Sequence, residues 1–129
     1  MFNYMFLNLI SIIALICQMT GMSPDIEIRE KYDLIIDNGT VKKGGASKEG
    51  DKYIITFYYS DYFKKGDEKP VLIHELIHIW QMEQGKLIPL AANKVVWKGD
   101  TIRLADVPYF DRPFEVEAKK MEDILIQKL

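Results

Sequence analysis

Both histidines of the chain lie four residues apart in one apolar stretch, and a glutamate follows the first of them directly. The stretch, residues 70–86, reads PVLIHELIHIWQMEQGK and contains His74, Glu75 and His78. Residues four apart lie on one face of a helix, so both imidazoles can reach a single metal ion. This H-E-x-x-H arrangement typically holds zinc. Glu75 would lie beside the ion, where it can deprotonate a water molecule that the metal has made acidic.

The alternative is a pair of hydrogen-bonded core histidines without any metal. The helix around them is apolar nearly all round, which indicates burial. Two imidazoles buried there cost several kcal/mol of lost hydration unless they find partners, and a metal supplies a partner to both together. The sequence therefore favours one Zn²⁺ at His74 and His78 over structural histidines.

The third protein ligand is expected to be a carboxylate. A catalytic zinc site usually has three protein ligands and a water molecule. The chain has no other histidine, and its single cysteine, Cys17, lies far from the motif in the N-terminal segment. Glu115 and Glu117 are the candidates, in the C-terminal stretch DRPFEVEAKKMEDILIQKL. Both flank the apolar stripe of that stretch, so its helical periodicity leaves the two alternatives open.

The stretch HELIHIWQ, followed further along the chain by RPFEVEA, resembles the gluzincin zinc metallopeptidases. It is most similar to compact bacterial and phage metallopeptidase-like domains, and the similarity covers roughly residues 52–121. The resemblance implies a zincin-like fold, a peptide substrate, Glu75 as general base and Glu115 as third ligand. It also implies that the strand before the zinc helix, KYIITFYYS, lines the cleft and pairs with extended substrate.

The chain departs from this family at Lys119, where the relatives carry an aspartate or asparagine that orients a ligand histidine. Another side chain must take over that role, since such supporting groups affect metal affinity and activity. Asp106, Asp111 and Glu117 are the candidates.

A hydrolase of this kind also needs a hydrogen-bond donor for the oxyanion that develops during the reaction. Tyr109, shortly before the RPFEVEA stretch, is the best candidate, and Arg112 is the next. The alternative for Tyr109 is an aromatic residue of a loop that packs on the core.

The N-terminal segment 1–22 is predicted to be a separate apolar element. Residues 1–24 carry no charged side chain, and the apolar run at 2–17 is slightly short for a membrane span. No basic residue precedes the run and no clear cleavage site follows it, which argues against a cleaved signal peptide. Export or membrane tethering through residues 2–17 is slightly favoured, and a packing helix of a cytoplasmic protein is the alternative.

The rest of the chain, 23–129, is predicted to be a single zincin-like α+β domain. A length of 129 residues with 48% hydrophobic and 28% charged residues suits one core. The net charge of −2 argues against a nucleic-acid partner, and the lysine pairs at 42–43 and 64–65 are predicted to be solvated loop charges.

Local patterns place the elements of this domain. We expect a short antiparallel sheet packed on the H-E-x-x-H helix and on a C-terminal ligand helix. The individual predictions are a helix at 23–39 (with a strand as the alternative at 33–37), a flexible loop or hairpin connection at 41–51, a strand at 52–60, a helix at 70–84, a hairpin at 94–104 and a helix from 111 onward, capped by Asp111.

The sequence thus predicts a zinc-dependent metallopeptidase-like hydrolase. The alternative is a non-catalytic zinc-binding or protein-interaction module with a metallopeptidase fold, favoured by the small size and by Lys119. A third option is a membrane-tethered accessory protein whose function lies in residues 2–17.

Overall fold

The computed structural model describes the backbone of residues 4–128 and the side chains of residues 9–128. The predicted segments 1–22 and 23–129 therefore each extend beyond the described residues at one end. Within the described part the fold is α+β, as predicted. Its helices are α1 Tyr4–Thr20, α2 Glu68–Glu83 and α3 Pro113–Lys128; its strands are β1 Asp25–Lys31, β2 Ile35–Asp37, β3 Thr40–Lys42, β4 Gly44–Glu49, β5 Lys52–Tyr58, β6 Leu87–Leu90, β7 Lys94–Trp97 and β8 Asp100–Arg103.

The strands form three small sheets with the orders β1-β5-β4, β2-β3 and β6-β7-β8. An antiparallel sheet was predicted next to α2, but the sheet there is mixed. Strand β1 runs parallel to β5, while β4 runs antiparallel to it. Its central strand, β5, is buried from Tyr53 to Phe57. Together with α2 it forms the main core, to which Ala118 and Leu125 of α3 also belong.

The predicted helix at 23–39 is wrong, and so is the flexible loop at 41–51. The alternative of a hairpin connection there agrees with the antiparallel pairing of β4 and β5 around residues 50–51. The first region contains strand β1, in which Ile26 and Ile28 both pack against the core, and β2, which confirms the alternative of a strand at 33–37. The second region contains β3 and β4. Both errors have one cause: β1 and β4 are stabilised by pairing with β5, and local sequence signals do not report pairing with a distant strand.

The strand at 52–60, the two later helices and the hairpin are confirmed, with ends shifted by a few residues. The predicted cap of α3 is not, since the helix begins at Pro113 and Asp111 belongs to the preceding short 3-10 helix, Tyr109–Asp111. Another short 3-10 helix, Leu104–Asp106, lies just before it.

The apolar N-terminal helix packs on the domain through one face. Leu9, Ile12 and Ile16 of α1 are buried in the main core, beside residues of α2, while Ile10 and Leu15 are exposed. None of the helices within residues 4–128 combines the length and the hydropathy needed to cross a membrane.

Candidate metal centre

Helix α2 brings His74 and His78 together on one face, as their spacing predicts. The Nε2 atoms of the two rings are 3.1 Å apart, and the ring planes are nearly perpendicular, at 89°. Both side chains are largely shielded from solvent, with 14% and 9% of their surface exposed. Two imidazole nitrogens therefore point at one small volume.

Helix α3 adds a carboxylate to this volume. Oε1 of Glu115 lies 2.8 Å from Nε2 of His74 and 2.8 Å from Nε2 of His78. Glu117, the alternative third ligand, lies elsewhere: its carboxylate accepts a hydrogen bond from Gln81 and is near Lys86. Of the two candidates it is Glu115 that joins the histidines.

The outer nitrogen of each ring has a partner that can only accept a hydrogen bond. Nδ1 of His74 donates to Oε2 of Glu122 at 3.1 Å, and Nδ1 of His78 donates to Oε1 of Gln81 at 2.7 Å. The orientation of the Gln81 amide follows from its nitrogen, which donates to the carbonyl of Phe114 and to Glu117. A neutral imidazole carries one proton. When each ring is neutral, its proton therefore lies on Nδ1 and its Nε2 atom faces inward with a free lone pair.

Three acceptor atoms thus converge where a cation would satisfy all of them. Donor atoms held at about 2.0–2.1 Å from a tetrahedral zinc are about 3.3 Å from one another. The observed separations, 2.8 Å, 2.8 Å and 3.1 Å, are only a few tenths of an ångström smaller. The group of His74, His78 and Glu115 can hold a metal ion.

The pKa shifts of the three residues indicate that positive charge is favourable at this group. Burial lowers the pKa of His74, but hydrogen bonds to Glu115 and Glu122 outweigh it and raise this pKa to about 10. The pKa of His78 is also raised, because Glu115 outweighs burial. Burial raises the pKa of Glu115, yet the two imidazoles hold it well below its usual range. In the metal-free protein, protons on the imidazoles supply the positive charge, and a metal ion would have to displace them.

Glu75 lies beside the three ligand residues and under strand β4. It is 6% exposed, and burial raises its pKa against the opposite influence of the neighbouring imidazoles. A Cβ atom on Gly44 would be 3.4 Å from Oε2 of Glu75 and 2.6 Å from Cγ1 of Val71. The missing side chain of Gly44 therefore lets β4 pass directly over the glutamate.

Tyr109 reaches the same point from the loop before α3. Its hydroxyl is 3.5 Å from Nε2 of His74, so it lies at the metal centre rather than only packing on the core. Burial and the nearby charges of Glu115 and Glu75 raise the pKa of Tyr109, so the hydroxyl keeps its proton at neutral pH and can donate it in a hydrogen bond.

Arg112, the second candidate donor to the oxyanion, forms its hydrogen bonds with other groups. It is 2% exposed, and its guanidinium donates to the backbone carbonyls of Leu104 and Val107 and to the carboxylate of Asp37. These bonds tie Arg112 to Asp37 and to the loop that carries Tyr109.

A cleft of about 790 Å³ opens over the ligand group. Residues of β4 line the cleft, together with residues of β3, β6 and β7, whereas β5, which the family resemblance implies, does not line it. β5 has a neighbour on each side, whereas the outer edge of β4 pairs with no strand in the part of the chain that the structure describes. Lys42, predicted to be a solvated loop charge, ends β3 and is half-buried at this cleft.

Sequence reasoning missed Glu122 and Gln81 as the residues that orient the two rings. Asp111 and Asp106 do not do so, and Asp106 pairs with Arg103 on the surface. Glu117 accepts a hydrogen bond from Gln81, which in turn is bonded to His78. Spacing offered a signal for both residues, because Gln81 follows His78 by one helical turn and Glu122 follows Glu115 by two turns.

The sequence and the structure were also compared with those of known proteins. A scan against protein-family models, a search of curated proteins and a search of solved structures find no match to this chain. The assignment of the centre therefore depends on its own geometry, in which His74, His78 and Glu115 form a group able to bind a metal ion.

Proposed function

We propose that this chain is a small zinc-dependent peptidase. The observation that supports it best is the convergence of three ligand atoms, from His74, His78 and Glu115, next to the buried side chain of Glu75. Two imidazoles and one carboxylate are a usual ligand set of catalytic zinc sites, which keep one coordination position open. Zinc is favoured over harder cations because two of the three ligands are nitrogen atoms.

The chemistry that zinc supplies when bound is Lewis acidity, which makes water acidic enough to lose a proton near neutral pH. Glu75 takes a proton from the attacking water molecule and passes it to the nitrogen of the leaving amine. Its raised pKa suits this double role, because a carboxylate with higher proton affinity is the stronger base. Tyr109 donates a hydrogen bond to the carbonyl oxygen as negative charge develops on it.

A peptide substrate is supported by the shape of the cleft. The outer edge of β4 offers unpaired backbone groups along the cleft wall, next to the ligand group. An extended peptide can add to such an edge as a further strand, with its backbone hydrogen-bonded along the sheet. Backbone recognition of this kind fits hydrolysis of a peptide bond.

The first experiment measures metal content and turnover in the same preparations. Wild-type protein is expected to bind about one zinc and to cleave fluorescently labelled casein. Glu75→Gln should keep the zinc and lose turnover by 10²-fold or more, since general base catalysis contributes about 10²–10⁴-fold. His78→Ala should lose the zinc together with turnover.

Glu83→Gln is the matched control, because Glu83 lies on the same helix but is exposed. It should change neither zinc content nor turnover. Wild-type protein that binds no zinc would contradict the proposal. Zinc-loaded protein that cleaves nothing, with Glu75→Gln indistinguishable from it, would instead establish the non-catalytic binding module.

A further inference from the structure

Tyr109 lies in an element too small to hold its side chain in place. The 3-10 helix Tyr109–Asp111 has three residues. Its backbone hydrogen bonds run from the amide of Asp111 to the carbonyl of Pro108 at 2.9 Å and from the amide of Arg112 to the carbonyl of Tyr109 at 3.3 Å. Helices this short are marginal by themselves, so the position of the Tyr109 hydroxyl must be set by other contacts.

Arg112 provides these contacts from beneath the loop. Its guanidinium carbon lies 5.5 Å from the centre of the Tyr109 ring, within range of a cation–π interaction. Its Nε donates to the carbonyl of Val107 at 3.1 Å, and its Nη2 donates to the carbonyl of Leu104 at 2.9 Å. One buried side chain thus ties together the loop before Tyr109 and supports the ring itself.

Asp37, far away in the sequence, holds Arg112 in this position. Its carboxylate accepts hydrogen bonds from Nη1 at 3.0 Å and from Nη2 at 3.4 Å. A buried guanidinium is costly without a countercharge, and no other carboxylate of the described residues forms an ion pair with Arg112. Asn38, next in the chain, adds a bond from its amide nitrogen to the carbonyl of Val107 at 3.3 Å.

We propose that Asp37 and Arg112 are positioning residues that aim the hydroxyl of Tyr109 at the metal centre. The hairpin formed by β2 and β3 thereby becomes part of the reaction apparatus, although it contributes no ligand. This inference rests on the proposed peptidase function for its kinetic consequence, and on contacts alone for its structural one.

The test is a double-mutant cycle between Asp37 and Tyr109 in the zinc-loaded protein. Tyr109→Phe is expected to lower kcat by about 10²-fold, the usual effect of losing one oxyanion donor. Asp37→Ala should lower kcat by about 10-fold or more, with KM and zinc content little changed, because a misplaced donor loses much of its effect. The double variant should be no slower than Tyr109→Phe alone, since Asp37 acts through Tyr109.

Two further variants separate positioning from general structural damage. Asp37→Glu keeps the charge and should recover part of the lost kcat. Asp33→Ala is the matched control, because Asp33 is exposed just before the same hairpin, and it should behave as wild type. Multiplicative losses of kcat in the double variant, or a normal kcat in Asp37→Ala, would overturn the proposal.

A second readout does not need turnover. Nitration of Tyr109 by tetranitromethane, quantified in the tryptic peptide by mass spectrometry, reports whether the ring is still held. The rate should rise several-fold in Asp37→Ala and stay unchanged in Asp33→Ala; an unchanged rate in both would overturn the inference. Failure of the proposed function is recognised separately, by absent zinc or absent turnover in the wild-type protein.

Discussion

At the scale of single residues, the ability of His74, His78 and Glu115 to hold a metal ion depends on where each histidine carries its proton. Glu122 and Gln81 take the hydrogen bonds of the two outer nitrogens, which leaves both inner nitrogens free to bind. Partners of this kind fix the tautomer and the ring direction, so their loss weakens a site from which no ligand has been removed.

Glu122→Ala is therefore expected to lower the affinity for zinc by about 10–100-fold while His74, His78 and Glu115 are all still present. Competition with a chromophoric chelator measures this affinity. Asp123→Ala is the control, since Asp123 is the next residue of α3 and is exposed. An affinity equal to that of the wild type in Glu122→Ala would show that the ring of His74 is oriented by something else.

The sequence was sufficient to predict that His74 and His78 meet, but it was insufficient to predict which side chains surround them. The spacing of His74 and His78 predicts their meeting because it depends only on helix geometry. The choice between Glu115 and Glu117 depends on tertiary contacts, because Gln81 binds Glu117 and so draws its carboxylate away from the rings. No periodicity within α3 contains that information.

At the scale of elements, the close approach of β4 to α2 depends on a residue without a side chain. A Cβ atom at Gly44 would lie 2.6 Å from Cγ1 of Val71, which is too close for either atom to stay in place. Either the side chain of Val71 must turn or the strand must move off the helix, and a moved strand would no longer hold Glu75 in position. The glycine pair at 44–45 suggested a flexible connection from sequence, whereas Gly44 serves close packing between a strand and a helix.

We expect Gly44→Ala to lower turnover by about 10²-fold with normal zinc content, because a displacement of about 1 Å near the reacting groups has an effect of this size. Removing the opposing atoms in Gly44→Ala/Val71→Ala should restore most of the activity. Gly45→Ala is the control, since its new Cβ atom would meet the flexible end of Lys42 at 3.3 Å. Activity that stays low in the double variant would rule out this steric explanation.

At the scale of the whole molecule, the group of His74, His78 and Glu115 links α2 to α3. Without metal, the link consists of protonated imidazoles bound to carboxylates. Because the pKa of His74 is raised from 6.5 to about 10, its contribution to stability is complete below pH 6.5 and is lost as the pH rises toward about 10. If zinc binds as proposed, it must replace these protons, and we expect its binding to become more favourable as the competition from protons decreases.

The metal-free protein should consequently become less stable between pH 6.5 and pH 9.5, while the stabilisation by zinc increases over the same range. Urea unfolding with a chelator or with excess zinc measures both trends, and zinc stabilises by an amount that grows with its concentration relative to Kd. His74→Phe/His78→Phe is the control, in which both trends should disappear. A chelator effect independent of pH would contradict the protonation argument.

Helix α1 is synthesised well before the helix against which it packs. Leu9, Ile12 and Ile16 complete a core whose main helix, α2, begins only at Glu68. While the intervening strands are being translated, α2 is not yet available to cover the apolar face of α1. We therefore expect the burial of Leu9, Ile12 and Ile16 to be completed only after α2 has been synthesised.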